Sequence, residues 1–181
     1  MAWTHRKDLK LADPVPYKCA FVSSQVNTVE AVLTDSLKTS GPGWLSGPNP
    51  DFPQAVVLDM VYLANVVKIQ VTPHKTCRPE SIEVWSSRAE DRNDKKYKSL
   101  GVIVFKETID RRPPDPKPLF VDTLAKWLWF QVGPPKTYPS NAKQQVGIDE
   151  IQVFGYYDKP PTPPPPEDPK DRRRFDIAIH A

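Results

Sequence analysis

Cysteine is almost absent from this sequence, and its histidines are few and scattered. The chain of 181 residues has 2 cysteines, Cys19 and Cys77, in no Cys-x-x-Cys pair. So few thiols suit a reducing compartment, and we expect both to be small buried residues rather than a disulfide. The 3 histidines, His5, His74 and His180, form no His-x-x-x-His pair. The sequence therefore predicts no metal site of the zinc type.

The motifs of most enzyme classes are missing as well. The chain contains no glycine-rich phosphate loop and no Gly-x-Ser-x-Gly elbow. Asp149 and Glu150 are neighbours in a predicted strand, so their side chains point to opposite faces and cannot work as a pair. We predict a protein that is not an enzyme and holds no cofactor. Asp35 and Asp51 are possible loop ligands for a structural calcium ion, but such scattered oxygen ligands are a weak pattern.

Charge of one sign does not dominate the sequence, and no long hydrophobic run is present. The net charge is +3, with acidic and basic residues interspersed, whereas a nucleic-acid binder usually shows a basic face or stripe. No apolar segment is long enough to span a bilayer. Residues 1–8 lack the apolar region of a secretory signal, and there is no glycosylation sequon. We expect a cytosolic protein that binds neither nucleic acid nor membrane nor a small-molecule substrate.

Proline is abundant instead, and its distribution indicates the domain organisation. The 22 prolines cluster at the ends of the chain and in loops, which predicts an extended arm over 1–16, one domain over 17–157 and a tail over 158–181. The run Pro160–Pro166 favours polyproline II, either as a stiff linker or as a ligand for proline-reading domains.

Between the proline-rich ends, short segments of strand character alternate with turn residues. Apolar residues at alternate positions predict about eight strands: 17–24, 52–60, 67–71, 81–86, 97–105, 119–124, 125–132 and 147–156. Residues 28–37 could form a short helix or an irregular turn, and the charged segment 88–96 resembles a solvated hairpin tip. Strands at this spacing predict an all-β fold, an antiparallel β-sandwich.

The aromatic residues divide into two groups by position. Trp127 and Trp129 lie on one face of a predicted strand and Leu128 and Phe130 on the other, which indicates burial on both sides and a role in packing. Trp44 and Tyr138 lie in Pro/Gly-rich loops. A loop aromatic of this kind either plugs the end of the sandwich or contacts a partner.

Two proline-stiffened loops combine positive charge with reduced flexibility. Loops held by rigid sheets often carry recognition, and proline lowers the entropy lost when a loop is ordered on a partner. An acidic protein surface would complement these loops. The candidate partner-binding residues are Arg111, Arg112, Lys117, Lys136, Tyr138, Lys143 and Trp44.

Several short motifs occur in an order and at a spacing that resemble a known family. They are Phe52–Gln54 with Val57–Met60, Ile69–Val71, Ser81–Val84, Tyr97–Gly101 and Lys136–Gly147. Together they resemble the N-terminal domain of the centrosomal protein of 104 kDa family. The resemblance implies a discoidin-like (galactose-binding-like) jelly roll in a protein of centrioles and the ciliary tip, associated with microtubule plus ends.

The resemblance gives the expected function. We expect a non-enzymatic protein-interaction module of a ciliary or centrosomal microtubule-associated assembly, located in the cytoskeleton at an axoneme or centriole, with tubulin or other axonemal proteins as partners. The alternatives are a carbohydrate-binding, lectin-like domain and the jelly-roll subunit of intraflagellar transport. The coiled coil and tubulin-binding TOG domain of the family's larger members have no counterpart here, so this chain is either a fragment or a short free-standing relative.

Overall fold

The structure is a computed structural model that describes residues 13–24, 43–94, 96–105, 114–135 and 141–157. Eight strands follow one another along these residues: β1 (Asp13–Pro14), β2 (Lys18–Val22), β3 (Trp44–Leu45), β4 (Gln54–Pro73), β5 (Ser81–Ser87), β6 (Lys98–Val104), β7 (Lys117–Val132) and β8 (Gly147–Tyr157). Within this part of the chain, no helix has the length and hydrophobicity needed to span a membrane.

All strand pairings are antiparallel, and two long strands take part in both layers of the sandwich. The front layer contains β2, the first part of β4, the last part of β7, β5 and β6. The rear layer contains the first part of β7, the last part of β4 and β8, with β1 and β3 paired to the outer edge of β8. Strands that pass from one layer to the other through bends are typical of closed sandwiches. The predicted all-β antiparallel sandwich is confirmed.

The long strands also correct the predicted strand boundaries. Segments 52–60 and 67–71, predicted as separate strands, are parts of β4, and segments 119–124 and 125–132 are parts of β7. No glycine or proline marks either bend, so the sequence contains no turn signal there.

Side-chain contacts hold the bend of β4 in place. Val61 has a positive φ of 63°, and its backbone N–H donates to Oδ1 of Asp59 at 2.8 Å. The ammonium group of Lys126 on β7 donates to Oδ1 of Asp59 at 2.5 Å and to the carbonyl oxygen of Val61 at 2.8 Å. This cross-strand ion pair fixes the point at which β4 changes layers.

Alternate residues of the strands point between the layers and form one hydrophobic core. Each such side chain stabilises the fold by roughly 1.5–3 kcal/mol when fully buried. The core includes Val56, Leu58, Met60, Ile69, Val71, Ile82, Val84, Leu128, Phe130, Ile151 and Val153.

Residues 13–16, predicted as part of the extended arm, pack against the sandwich. β1 pairs with the end of β8, and the N–H of Val15 donates to the carbonyl oxygen of Val153 at 2.7 Å. Val15 is buried in the core, and the hydroxyl of Tyr17 donates to the carbonyl oxygen of Ile151. The sandwich therefore includes residues 13–16. The rest of the arm, the possible helix at 28–37 and the tail at 158–181 lie outside the described residues.

The two tryptophans of β7 lie on the outer face of the front layer rather than in the core between the layers. Both are half-buried, because the loop between β5 and β6 folds back over them. The indole N–H of Trp127 donates to the carbonyl oxygen of Ala89 at 2.8 Å, and the ring of Tyr97 packs edge-on against Trp129 at 5.2 Å. The packing role is right, but full burial is wrong, and segment 88–96 is not simply a solvated tip.

Candidate interaction surface

Loops from both halves of the chain meet at one end of the sandwich, which we call the loop end. It comprises residues 43–53, 74–80, 133–135 and 141–146, together with the points at which segment 106–116 leaves and rejoins the sheet. The N–H of Phe105 donates to the carbonyl oxygen of Glu80 at 3.0 Å, and the N–H of Glu80 to that of Pro134 at 2.9 Å. The roots of the two basic loops predicted from the sequence are thus neighbours.

Polar side chains lock these loops together. The N–H of Ser46 donates to the carbonyl oxygen of Val146 at 2.8 Å, and the N–H of Val146 returns a hydrogen bond to the Ser46 hydroxyl at 3.0 Å. The side-chain amide of Gln145 donates to the carbonyl oxygen of Ser46 at 2.7 Å, and that of Asn141 to the carbonyl oxygen of Gln145 at 2.7 Å. Ser46 and Asn141 are buried. Such satisfied buried polar groups hold a loop in a single conformation.

A histidine organises the turn that follows β4. Nδ1 of His74 accepts hydrogen bonds from the N–H groups of Thr76 at 3.3 Å and Cys77 at 3.1 Å. Gly147 lies directly against this turn, and a Cβ atom there would come within 2.8 Å of the His74 Cβ. A residue larger than glycine would therefore separate the turn from β8.

Two ionisable groups beside this turn are affected by burial. Burial raises the pKa of the Cys77 thiol, so the sulfur stays protonated and is a poor nucleophile. Burial also raises the pKa of Asp149, and the nearby His74 opposes that increase. Both cysteines are free thiols; Cys77 is buried, as predicted, whereas Cys19 is only half-buried. No local pattern predicts that Asn141 joins His74 and Cys77, because Asn141 is 64 residues from Cys77 along the chain.

Trp44 has to be removed from the list of partner-contacting residues. Its side chain is only 1% exposed, and its indole N–H donates to the carbonyl oxygen of Ser24 at 2.9 Å. Trp44 therefore plugs the end of the sandwich, the first of the two roles considered for a loop aromatic. Its ring leaves no surface for a partner.

The remaining predicted site residues divide by whether the structure describes them. Lys117 begins β7, opposite Val71 on β4, and is half-buried. Lys143 is exposed in a turn, and its backbone carbonyl oxygen accepts a hydrogen bond from the N–H of Asn49 at 2.7 Å. Both therefore lie at the loop end. Arg111, Arg112, Lys136 and Tyr138 lie outside the described residues.

The described part of the loop end contains no cluster of side chains that could hold a metal ion. Asp51 is exposed, and Asp35, its suggested partner for calcium, is outside the described ranges. In those ranges no three His, Cys, Asp or Glu side chains come together as a metal site would require. What the geometry provides is a rigid platform of loops with exposed polar and charged groups, which suits binding.

The fold defines the class of protein: a discoidin-like jelly-roll module. Within that class, the family "Centrosomal protein CEP104, N-terminal domain" matches residues 43–155. The chain belongs to this family, as the motifs predict. No curated protein sequence matches the chain.

Solved structures with the same fold come from several settings. The fifth CBM32 module of GH89 from Clostridium perfringens, in complex with GalNAc-β-1,3-galactose, has a TM-score of 0.58 and 15% identity, over 79% of this chain and 100% of that one. Chitosan-binding module 1 from Paenibacillus has a TM-score of 0.57 and 13% identity, over 75% and 92%. Reduced XRCC1 bound to the DNA polymerase β catalytic domain has a TM-score of 0.59 and 14% identity, over 79% and 99%.

Identities this low show the fold and nothing about the ligand. Glycans and a protein both occur as ligands in the titles of these structures, so the fold alone does not select between them. The family that the chain belongs to is named for a centrosomal protein.

Proposed function

We propose that this protein is a non-enzymatic protein-interaction module of a ciliary or centrosomal microtubule-associated assembly. It binds an acidic protein surface through its loop end, and tubulin is the first partner to test. One observation supports this most: the two basic, proline-stiffened loops are rooted side by side on a hydrogen-bonded platform. The family, which is named for a centrosomal protein, supports the setting.

The physical argument rests on preorganisation and charge. A partner that docks on the loop end meets backbone already fixed by Ser46, Asn141 and Gln145, so little entropy is lost there. Proline stiffens the loops that contain Arg111, Arg112 and Lys136, and this reduces the entropy that these loops lose when a partner binds. Their positive charges speed association with an acidic surface and make it sensitive to salt.

Charge reversal in the intact chain tests the proposal. The triple variant Arg111→Glu, Arg112→Glu, Lys136→Glu should lose most of its co-sedimentation with microtubules and keep the parent melting temperature. A matched control reverses Lys18, Lys96 and Lys98, which are exposed and lie on or beside β2 and β6, away from the loop end. The control should bind like the parent protein at each salt concentration.

Two results would overturn the proposal. Equal losses in both variants would show that only net charge matters, and unchanged binding of the loop variant at low salt would place the interface elsewhere. A glycan array on the same proteins tests the carbohydrate alternative. Glycan binding without microtubule binding would support the carbohydrate alternative and overturn the proposed function.

A further inference from the structure

The outer face of the rear layer exposes two large aromatic side chains. Phe120 on β7 is 66% exposed and Tyr156 on β8 is 59% exposed. Between them, on β4, the ammonium group of Lys68 lies 3.7 Å from the centre of the Phe154 ring. Most large hydrophobic side chains of the described residues are buried, so exposed rings grouped on one sheet face indicate a contact surface.

Strand register places these residues in a compact group, which we call the aromatic face. Phe120 and Phe154 both pair with Lys68, from opposite sides. Tyr156 pairs with Asn65 on β4, one row along the sheet. Strand spacing places the Cα atoms of Phe120 and Tyr156 about 12 Å apart, diagonally across β4. The two exposed rings thus flank a shallow surface formed by β4.

The aromatic face lies where the described chain ends. β8 finishes at Tyr157, whose ring is packed edge-on by the ring of Tyr62 at 5.5 Å. The next residues in the sequence are Asp158 and Lys159, followed by Pro160–Pro166, a segment with six prolines in seven residues. A proline-rich segment is thus tethered within a few residues of a group of exposed aromatic rings.

We propose that the aromatic face is the docking site of the chain's own proline-rich segment, Pro160–Pro166. Aromatic-lined surfaces bind polyproline II segments because the flat pyrrolidine rings pack on them and the segment is already extended and stiff. Seven residues of polyproline II span about 22 Å, more than the diagonal between the two rings requires. Asp158 and Lys159 supply about 7 Å of linking chain, enough to turn back from the end of β8.

Tethering and composition favour this occupant over others. Attachment two residues away gives an effective concentration on the order of millimolar, so even a weak contact is populated. Charge does not decide the question, since the face carries Lys68 beside Asp122 and Glu150. The proline content and the point of attachment identify the occupant.

Nuclear magnetic resonance on the intact chain tests the proposal. We expect NOEs between proline ring protons and the ring protons of Phe120 and Tyr156. Replacing Pro163–Pro166 by serine should remove these NOEs and shift both ring resonances. Phe21, an exposed aromatic residue on the front layer, is the matched control, and its resonances should not move.

Variants of the face complete the test. Phe120→Ser with Tyr156→Ser should shift the resonances of the tail prolines, whereas Val102→Ser with Val104→Ser, an equally exposed apolar pair on β6, should not. A mixture of labelled and unlabelled chains separates the possible occupants, because NOEs between chains would show that a second copy supplies the prolines. That result, or identical ring resonances with and without the prolines, would overturn the proposal.

Discussion

At the residue scale, the decisive features are polar groups whose partners come from distant parts of the sequence. Trp127 has an acceptor for its indole N–H, the carbonyl oxygen of Ala89. Its neighbour on the same face, Trp129, has a buried indole N–H with no hydrogen-bond partner among the described residues. A buried donor without an acceptor costs about 1–3 kcal/mol. Two residues of one type on one strand therefore contribute differently to stability.

This difference predicts unequal effects of the same substitution. Trp127→Phe removes a hydrogen bond and leaves the carbonyl of Ala89 unpaired, whereas Trp129→Phe removes an unpaired donor. We expect Trp127→Phe to lower the free energy of unfolding by about 1 kcal/mol more than Trp129→Phe does. Urea denaturation of both variants measures it, and a larger loss for Trp129→Phe would contradict the assignment.

Asp149 predicts a change of stability with pH. Burial raises its pKa in the folded protein, so the folded state holds this proton more tightly than the unfolded state. Its contribution to stability is complete below the unfolded pKa of about 4 and is lost as the pH rises through the folded pKa. Asp149→Asn should therefore raise the melting temperature at neutral pH.

The advantage of Asp149→Asn should shrink as the pH falls towards about 4. Thermal melts of the parent and variant across this range measure the gap. Asp51→Asn, a change at an exposed acid of the loop end, serves as the control and should leave the melting temperature unchanged. A variant less stable than the parent at neutral pH would show that Asp149 stabilises the fold as a carboxylate.

At the element scale, the bends of β4 and β7 decide the architecture. Each strand supplies residues to both layers, so a shift at either bend would move one half of a strand out of register with its neighbours. The Asp59–Lys126 pair joins the two strands at this point. Val61 is the residue under strain there, because a β-branched side chain rarely adopts a positive φ.

Replacing Val61 by glycine should relieve that strain. The left-handed conformation costs an L-residue about 1–2 kcal/mol, and glycine gives back part of this through its greater freedom in the unfolded chain. We expect Val61→Gly to stabilise the protein by roughly 0.5–1 kcal/mol in chemical denaturation. Val102→Gly, in a strand at ordinary φ, should destabilise it. A loss of stability in both variants would mean that the valine side chain contributes more than its backbone costs.

At the scale of the whole molecule, one edge of the rear layer is covered by segments that are remote in sequence. The outer edge of β8 is covered by β1 at one end and by β3 at the other. Between them, the hydroxyl of Tyr17 donates a hydrogen bond to the carbonyl oxygen of Ile151. Covered edges protect a sheet from pairing with other chains. The first residues of the domain therefore contribute to its stability, as the long strands do.

Truncation tests this boundary. A chain of residues 13–157 should unfold cooperatively, whereas one of residues 17–157 should be less stable by about 2–4 kcal/mol, because it loses the burial of Val15 and its hydrogen bond to Val153. Calorimetry of both chains measures the difference. Equal stability would show that β1 is dispensable and that the domain does begin at residue 17.

The sequence by itself determined the fold class, the family and the absence of the familiar catalytic motifs. Alternation of apolar residues is a local property, and it indicates strands such as β5 and β8 directly. The order of short motifs from Phe52 to Gly147 was enough to identify the family, which the match over residues 43–155 confirms. Local patterns carry this information because each strand must present one face to the core.

Only the tertiary structure decided the rest. Whether two apolar runs form two strands or one bent strand depends on contacts such as Lys126 with Asp59, which join positions 67 residues apart. The burial of Trp44 depends on its contacts with Ser24 and Ile148. Its Pro/Gly-rich loop sequence alone is equally compatible with an exposed side chain that contacts a partner. The grouping of Phe120, Lys68 and Phe154 arises from register across three strands. Long-range pairing sets these features, so no local pattern in the sequence could reveal them.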